Sequence, residues 1–292
     1  MSLQTLIPLA LKISIVLCVF ALGLTASVRD LGYLFRRPGK LLRVYVAMGV
    51  LMPLFAVAMV VIFDLHPAVK IALLALSVSP IPPLLPRTAM QAGGTMQYTI
   101  GLLTTASLLA ILLVPMSIEL TERLHLFGIP LQMTMASLAI VICITVLGPM
   151  ALGIVVHSLA PALAKRLAKP IWLIGTVLLV VSALPVLFAA MPQVLSLIGN
   201  GTLLALTAFV LFGLAIGHLL GGEDESNRTV LALSTASRHP GVAIAIAHKN
   251  FPQEKLVLAA VLLYLLVSTI VSVLYLRWIR RRSPSVASEV KA

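Results

Sequence analysis

Nine apolar stretches of about twenty residues follow one another along the chain, at roughly 6–26, 44–63, 69–91, 98–120, 130–158, 170–191, 202–221, 228–247 and 255–279. A hydrocarbon core about 30 Å thick is crossed by about twenty residues of α-helix, so each stretch is long enough to span a bilayer. None of them shows the every-second-residue alternation of a barrel strand. At 60% hydrophobic and 10% charged residues, the chain lacks the polar exterior that a water-soluble domain requires. The expected fold class is an all-α polytopic membrane protein with nine transmembrane helices. The first stretch has no basic region before it and no small-residue cleavage pattern after it, and reads as a permanent span rather than a signal peptide. Cys18 and Cys143 both fall inside apolar stretches, where they read as small core residues and not as a disulfide or metal site.

The net charge of +12 is explained by topology. With loops assigned alternately to the two sides, one side receives fifteen of the twenty-one basic residues, among them Arg29, Arg36, Arg37, Lys40, Arg43, Arg87, Lys165, Arg166, Lys169 and Arg277. The other receives Lys70, Arg123, Lys249 and Lys255. The positive-inside rule then places the amino terminus outside and the carboxyl terminus in the cytosol of a bacterial-type inner membrane, with Trp172 and Trp278 as anchors at the cytosolic interface. Charge in short loops flanking helices gives no reason to expect nucleic acid as a partner. Two cations remain inside spans. Lys12 is near enough to the outer end to snorkel, whereas Arg238 is too deep to do so.

The stretches also repeat. The first and sixth, second and seventh, and fourth and ninth start about 160 residues apart. An odd fifth helix between two sets of four makes the sets run in opposite directions across the membrane, an inverted repeat. The expectation is a single membrane domain over 1–292: repeat one at about 5–122, a linking helix at about 129–158, repeat two at about 168–282 and a polar cytosolic tail at 283–292. The third and eighth helices become symmetry mates, and these are the two that are interrupted. One carries Ser79-Pro80-Ile81-Pro82-Pro83-Leu84-Leu85-Pro86-Arg87, the other Ser234-Thr235-Ala236-Ser237-Arg238-His239-Pro240-Gly241. Four prolines in seven residues cannot continue a helix. Unwound backbone is tolerated at membrane depth only where protein or a water-filled cavity satisfies it, and paired breaks in two repeats point to a transporter's binding site.

Pro80, Pro82, Pro83, Pro86, Pro240 and Gly241 are therefore expected to form the breaks, and Arg238 to be the central binding residue. Ser79, Ser234, Thr235 and Ser237 are candidates to line the site, although hydroxyls also bond their own helix four residues back. Arg87 is either a second anion contact or an ordinary positive-inside residue. His239 is either a proton carrier, because an imidazole changes charge near neutrality, or a partner for freed backbone groups. Enzymatic chemistry finds no footing: there is no His-Glu-x-x-His, no Gly-x-Ser-x-Gly and no phosphate-cradling glycine loop, and all nine acids, such as Asp30, Glu119 and Asp224, lie in loops or flanks. No cofactor and no metal is expected.

Phe35-Arg36-Arg37-Pro38, Met52-Pro53, Ser79-Pro80 with Gly93-Gly94, the run from Leu102 to Pro115, and Ser234-Thr235 through Ala243-Ile244-Ala245 resemble, in this order, the bile acid:sodium symporter family. The resemblance implies a core domain built around two crossing broken helices that moves against a panel domain to carry organic anions with sodium. It also implies sodium ligands at positions that this chain has altered. The family's Ser-Asn pair aligns with Leu85 and Pro86; its Glu, Gln and Asn at the second break align with Ser234, Arg238 and His239. A further Gln aligns with Met48. Of two hydroxyl ligands on the next helix, Thr99 is retained and Leu103 replaces the other.

A guanidinium repels sodium, which needs several oxygen ligands, so both ion sites read as dismantled. The expected function is a secondary transporter of a small organic anion working by alternating access, with Arg238 as a fixed positive charge that pairs with a carboxylate or sulfonate. The alternatives are a sodium- or proton-coupled symporter of the same family and a non-transporting membrane sensor or scaffold. The expected partners are the anion and membrane lipid; the coupling ion, if any, stays open.

Overall fold

The computed structural model describes residues 3–123 and 135–282. The helices in chain order are α1 Leu3–Gly23, α2 Val28–Leu31, α3 Pro38–Tyr45, α4 Met52–Ile62, α5 Pro67–Val78, α6 Leu85–Gln91, α7 Met96–Arg123, α8 Met135–Ile142, α9 Gly148–Leu159, α10 Pro161–Ser196, α11 Thr202–Leu220, α12 Glu225–Ala236, α13 Pro240–Asn250 and α14 Val257–Arg282. No strand is found among the described residues. Seven helical spans among them are long and apolar enough to cross a membrane: Leu6–Gly23, Pro38–Ile62, Ala139–Leu159, Pro161–Ser196, Thr202–Leu220, Glu225–Asn250 and Val257–Arg281. The third and fourth predicted stretches are represented by the shorter apolar helices Pro67–Val78 and Met96–Ile111. The predicted beginning of the fifth stretch, at 130, and the polar tail at 283–292 lie outside the described residues.

Several boundaries differ from those expected; the second span, for one, begins at Pro38 and not near 44. The sixth helix begins at Pro161 and not near 170, because the Ala-, Leu- and Lys-rich segment before Pro170 favours helix and Pro161 opens it without losing a bond. Lys165, Arg166 and Lys169 thus ride on α10 rather than in a loop. The eighth helix begins at Glu225, where the Asp224 side chain caps it by accepting the Ser226 N–H at 2.9 Å.

Two π-helical turns, Val46–Leu51 and Cys143–Leu147, join α3 to α4 and α8 to α9. Each is followed within two residues by a proline, Pro53 or Pro149. A proline ring clashes with the carbonyl four residues back, and a widened turn relieves that clash. In the first turn the Met52 N–H donates to Ala47 O. Met48 O, whose ordinary donor this would be, is left without a helical partner, since Pro53 has no N–H to offer.

Small residues set the closest approaches. α1 meets α9 where Gly23 faces Gly153; a Cβ on Gly153 would lie 2.5 Å from Phe20 O. α1 meets α10 where Gly175 sits against Cys18, and the His157 Nδ1 of α9 lies 2.8 Å from Leu24 O just beyond α1. Gly213 and Gly217 of α11, with Gly221 just beyond its end, form a stripe on which the backbone of α12 lies directly. Phe55 of α4 and Phe212 of α11 stack with ring centroids 4.0 Å apart. Helix α5 packs against α13 and α12 against α6, so the two interrupted helices cross at their breaks, flanked by α7, α14 and the first π turn.

Candidate functional site

The crossing is assembled from carbonyls that proline has deprived of donors. A proline at position i removes the N–H that would bond the carbonyl at i−4. Pro80, Pro82, Pro83 and Pro86 thereby strip Leu76, Val78, Ser79 and Pro82. Leu76 O recovers the Ser79 N–H and Pro82 O the Leu85 N–H, each at 3.1 Å in a tighter turn. Ser79 O is met from the other break: Arg238 Nη1 donates to it at 3.1 Å. Its neighbour Pro80 O accepts the His239 N–H at 2.8 Å. At the second break Pro240 strips Ala236 O, which accepts the Tyr264 hydroxyl at 2.6 Å and the Ser268 hydroxyl at 3.4 Å, both from α14.

Arg238 is 2% exposed. Its second hydrogen bond runs from Nη2 to Met48 O at 3.4 Å, the carbonyl released by the π turn. No carboxylate among the described residues pairs with it, and its Nε–H is buried without an acceptor. The charge is met instead by main-chain oxygens, one at the carboxyl end of α5, where the helix dipole is negative. His239 caps α13: its Nδ1 accepts the Val242 N–H at 3.4 Å, which puts the proton of a neutral ring on Nε2. That Nε2 is buried and also lacks a partner. Two adjacent residues thus present N–H groups with nothing to receive them.

The remaining candidates divide. Ser79 and Thr235 lie at the crossing, yet each hydroxyl donates back along its own helix, to Ala75 O and Leu231 O, both at 2.7 Å. Ser234 is buried in the last turns of α12 and Ser237, partly exposed, ends that helix. Thr99 is buried on α7, donating to Thr95 O at 2.7 Å. It is on the same helix face as Ala106 and Ala110, about two and three turns closer to the amino end. Pro80, Pro82 and Pro83 occupy the first break, whereas Pro86 lies in the first turn of α6, and Pro240 and Gly241 in that of α13. Arg87 is elsewhere, its guanidinium 4.5 Å from the centre of the Trp172 ring on α10. A cavity of about 20 Å³, room for roughly one water, touches the crossing. Met48, Ser79, Pro80, Ala106, Ala110 and Arg238 are among its lining residues.

Tyr264, Ser268 and the carbonyl of Met48 were not candidates in the sequence. The signal for Tyr264 was present: Pro240 orphans a carbonyl deep in a span, and a phenol on another span is a suitable donor. Replacing Tyr264 with Phe leaves Ala236 O with the long Ser268 contact alone, and should lower stability by about 1–3 kcal/mol, readable in thermal unfolding of the detergent-solubilised protein.

A multi-pass helical membrane protein whose buried irregular backbone is satisfied across two interrupted helices is the class that fold and site define. Residues 12–198 match the model of the sodium bile acid symporter family, and the chain belongs to that family of membrane transporters. The match takes in the first break and ends before the second. Comparison with curated proteins gives no match.

Proposed function

We propose that the chain is a secondary transporter of a small organic anion, that it works by alternating access, and that it does so without sodium. The observation that carries this reading is Arg238: a buried guanidinium with no acidic partner among the described residues and an unused Nε–H, next to a second unused donor on His239. An anionic oxygen is a fitting acceptor for the Arg238 Nε–H, and a guanidinium binds carboxylate or sulfonate through charge-assisted hydrogen bonds. Leu85, Pro86, Met48 and Leu103 stand where the family resemblance implies sodium ligands, and none brings a side-chain oxygen. The architecture proposed with it has two inverted four-helix repeats joined by a linking helix, residing in the inner membrane with the amino terminus outside and the carboxyl terminus cytosolic, as the basic loops favour. The test is uptake of labelled organic acids into proteoliposomes. Flux should change by less than about twofold when sodium is replaced by potassium; flux that disappears would make the protein a sodium-coupled symporter instead.

A further inference from the structure

Arg238 touches two carbonyls that come from different parts of the chain and were released by different irregularities. Ser79 O lost its donor to Pro83, and Met48 O lost its donor to the π turn ahead of Pro53. Neither depends on a side chain for its position. They lie 3.1 and 3.4 Å from Nη1 and Nη2, one on each terminal nitrogen of the planar group. Ala236 O, orphaned by Pro240 at the second break, is already held by Tyr264 and Ser268.

We infer that Met48 O and Ser79 O form a main-chain receptor for a guanidinium group, with Arg238 as its tethered occupant. Cutting that side chain back to alanine leaves a receptor that accepts a free alkylguanidinium ion. The chemistry selects the occupant. Hard inorganic cations such as calcium and magnesium collect about six oxygens, and two carbonyls fall far short of such a shell. A planar cation with donors on two nitrogens satisfies two separate carbonyls at once, and its weak hydration lowers the penalty for entering a buried site. Ethylguanidinium supplies the atoms that Arg238→Ala removes. This deepens the reading of Arg238 as the fixed charge of the site, but flux tests that reading and stability tests this one, so either can fail alone.

The experiment is thermal unfolding of purified Arg238→Ala across a millimolar series of ethylguanidinium, guanidinium, sodium, potassium and choline chlorides at constant ionic strength. Ethylguanidinium should raise the melting temperature saturably, by about 2–4 °C at tenfold excess over its dissociation constant. Guanidinium should act more weakly, and sodium and potassium no more than choline. Wild type and Arg37→Ala, whose arginine stacks 3.8 Å over the Tyr33 ring instead, should show no ethylguanidinium effect. Arg238→Gln, whose amide ends at the position of the arginine Nε and leaves less room beside the two carbonyls, is the second variant should the alanine protein not fold; it should show the same order of cations with a smaller shift. If ethylguanidinium does not exceed choline on whichever variant folds, or if sodium equals it, the receptor is not selective for guanidinium and the inference is overturned. Folded alanine and glutamine variants both failing to accumulate, with no recovery when ethylguanidinium is present during extraction, overturns it equally.

Discussion

Arg238→Met should abolish anion flux, by at least about a hundredfold, while the protein still folds. A hundredfold corresponds to about 2.7 kcal/mol, within the range lost when one partner of a buried charge-assisted pair is removed. Stability should move much less, because two effects oppose. Methionine leaves Ser79 O and Met48 O without donors, at about 1–3 kcal/mol each. It also removes an unpaired buried charge, whose desolvation costs several kcal/mol. The two nearly offset, and methionine fills much of the same volume. Flux in proteoliposomes and melting temperature in detergent should therefore separate. If the arginine served only to join the breaks, the melting temperature would fall and the folded fraction would transport normally.

Gly217→Val should have the largest effect on folding. A Cβ there would lie 2.5 Å from Ala232 Cα and 2.6 Å from Leu231 O. Both obstacles are backbone, which cannot rotate away as a side chain can, so α11 and α12 must separate. The cost belongs at or above the upper end of the ~1–3 kcal/mol typical of overpacking. Because α12 ends at the second break, the damage reaches the crossing through Ala236, which packs against Gly213 one turn earlier on α11. Size-exclusion profiles should show little monodisperse protein. Gly39→Ala is the control, since a Cβ at Gly39 meets nothing within 4 Å.

The breaks are legible in the sequence because proline chemistry is local: a missing N–H and a ring clash follow from one residue and its position. Seven of the spans are legible for a similar reason, the bilayer setting a minimum apolar length that each of them meets. What cannot be read is which donor meets which orphaned carbonyl. Ser79 and Arg238 are 159 residues apart, and Met48 and Arg238 are 190 apart, so their pairing exists only after the helices cross. The π turn is a subtler case. Met52-Pro53 and Gly148-Pro149 are visible, but a proline in a helix can kink it, end it or widen the preceding turn, and neighbouring packing decides among these. Arg87 shows the limit for charged residues near a membrane interface. Its sequence position suited both an anion contact and an interfacial role, and only the fold puts it on Trp172. The start of α10 was obscured by Pro170, which reads as a helix opening yet lies in the interior, where the bond it deletes is one of many.

The surroundings of Arg238 carry a consequence for mutational mapping. Its partners are backbone oxygens, so alanine substitution at Ser79 or Met48 removes neither of them. A scan of the neighbouring side chains would find an arginine that no acid among the described residues compensates. The residues that determine whether those oxygens are free are Pro53 and Pro83, which do not touch the guanidinium through any donor of their own. Pairwise coupling should therefore appear between Arg238 and these prolines, and the genetic signature of the site is a charge linked to imino acids.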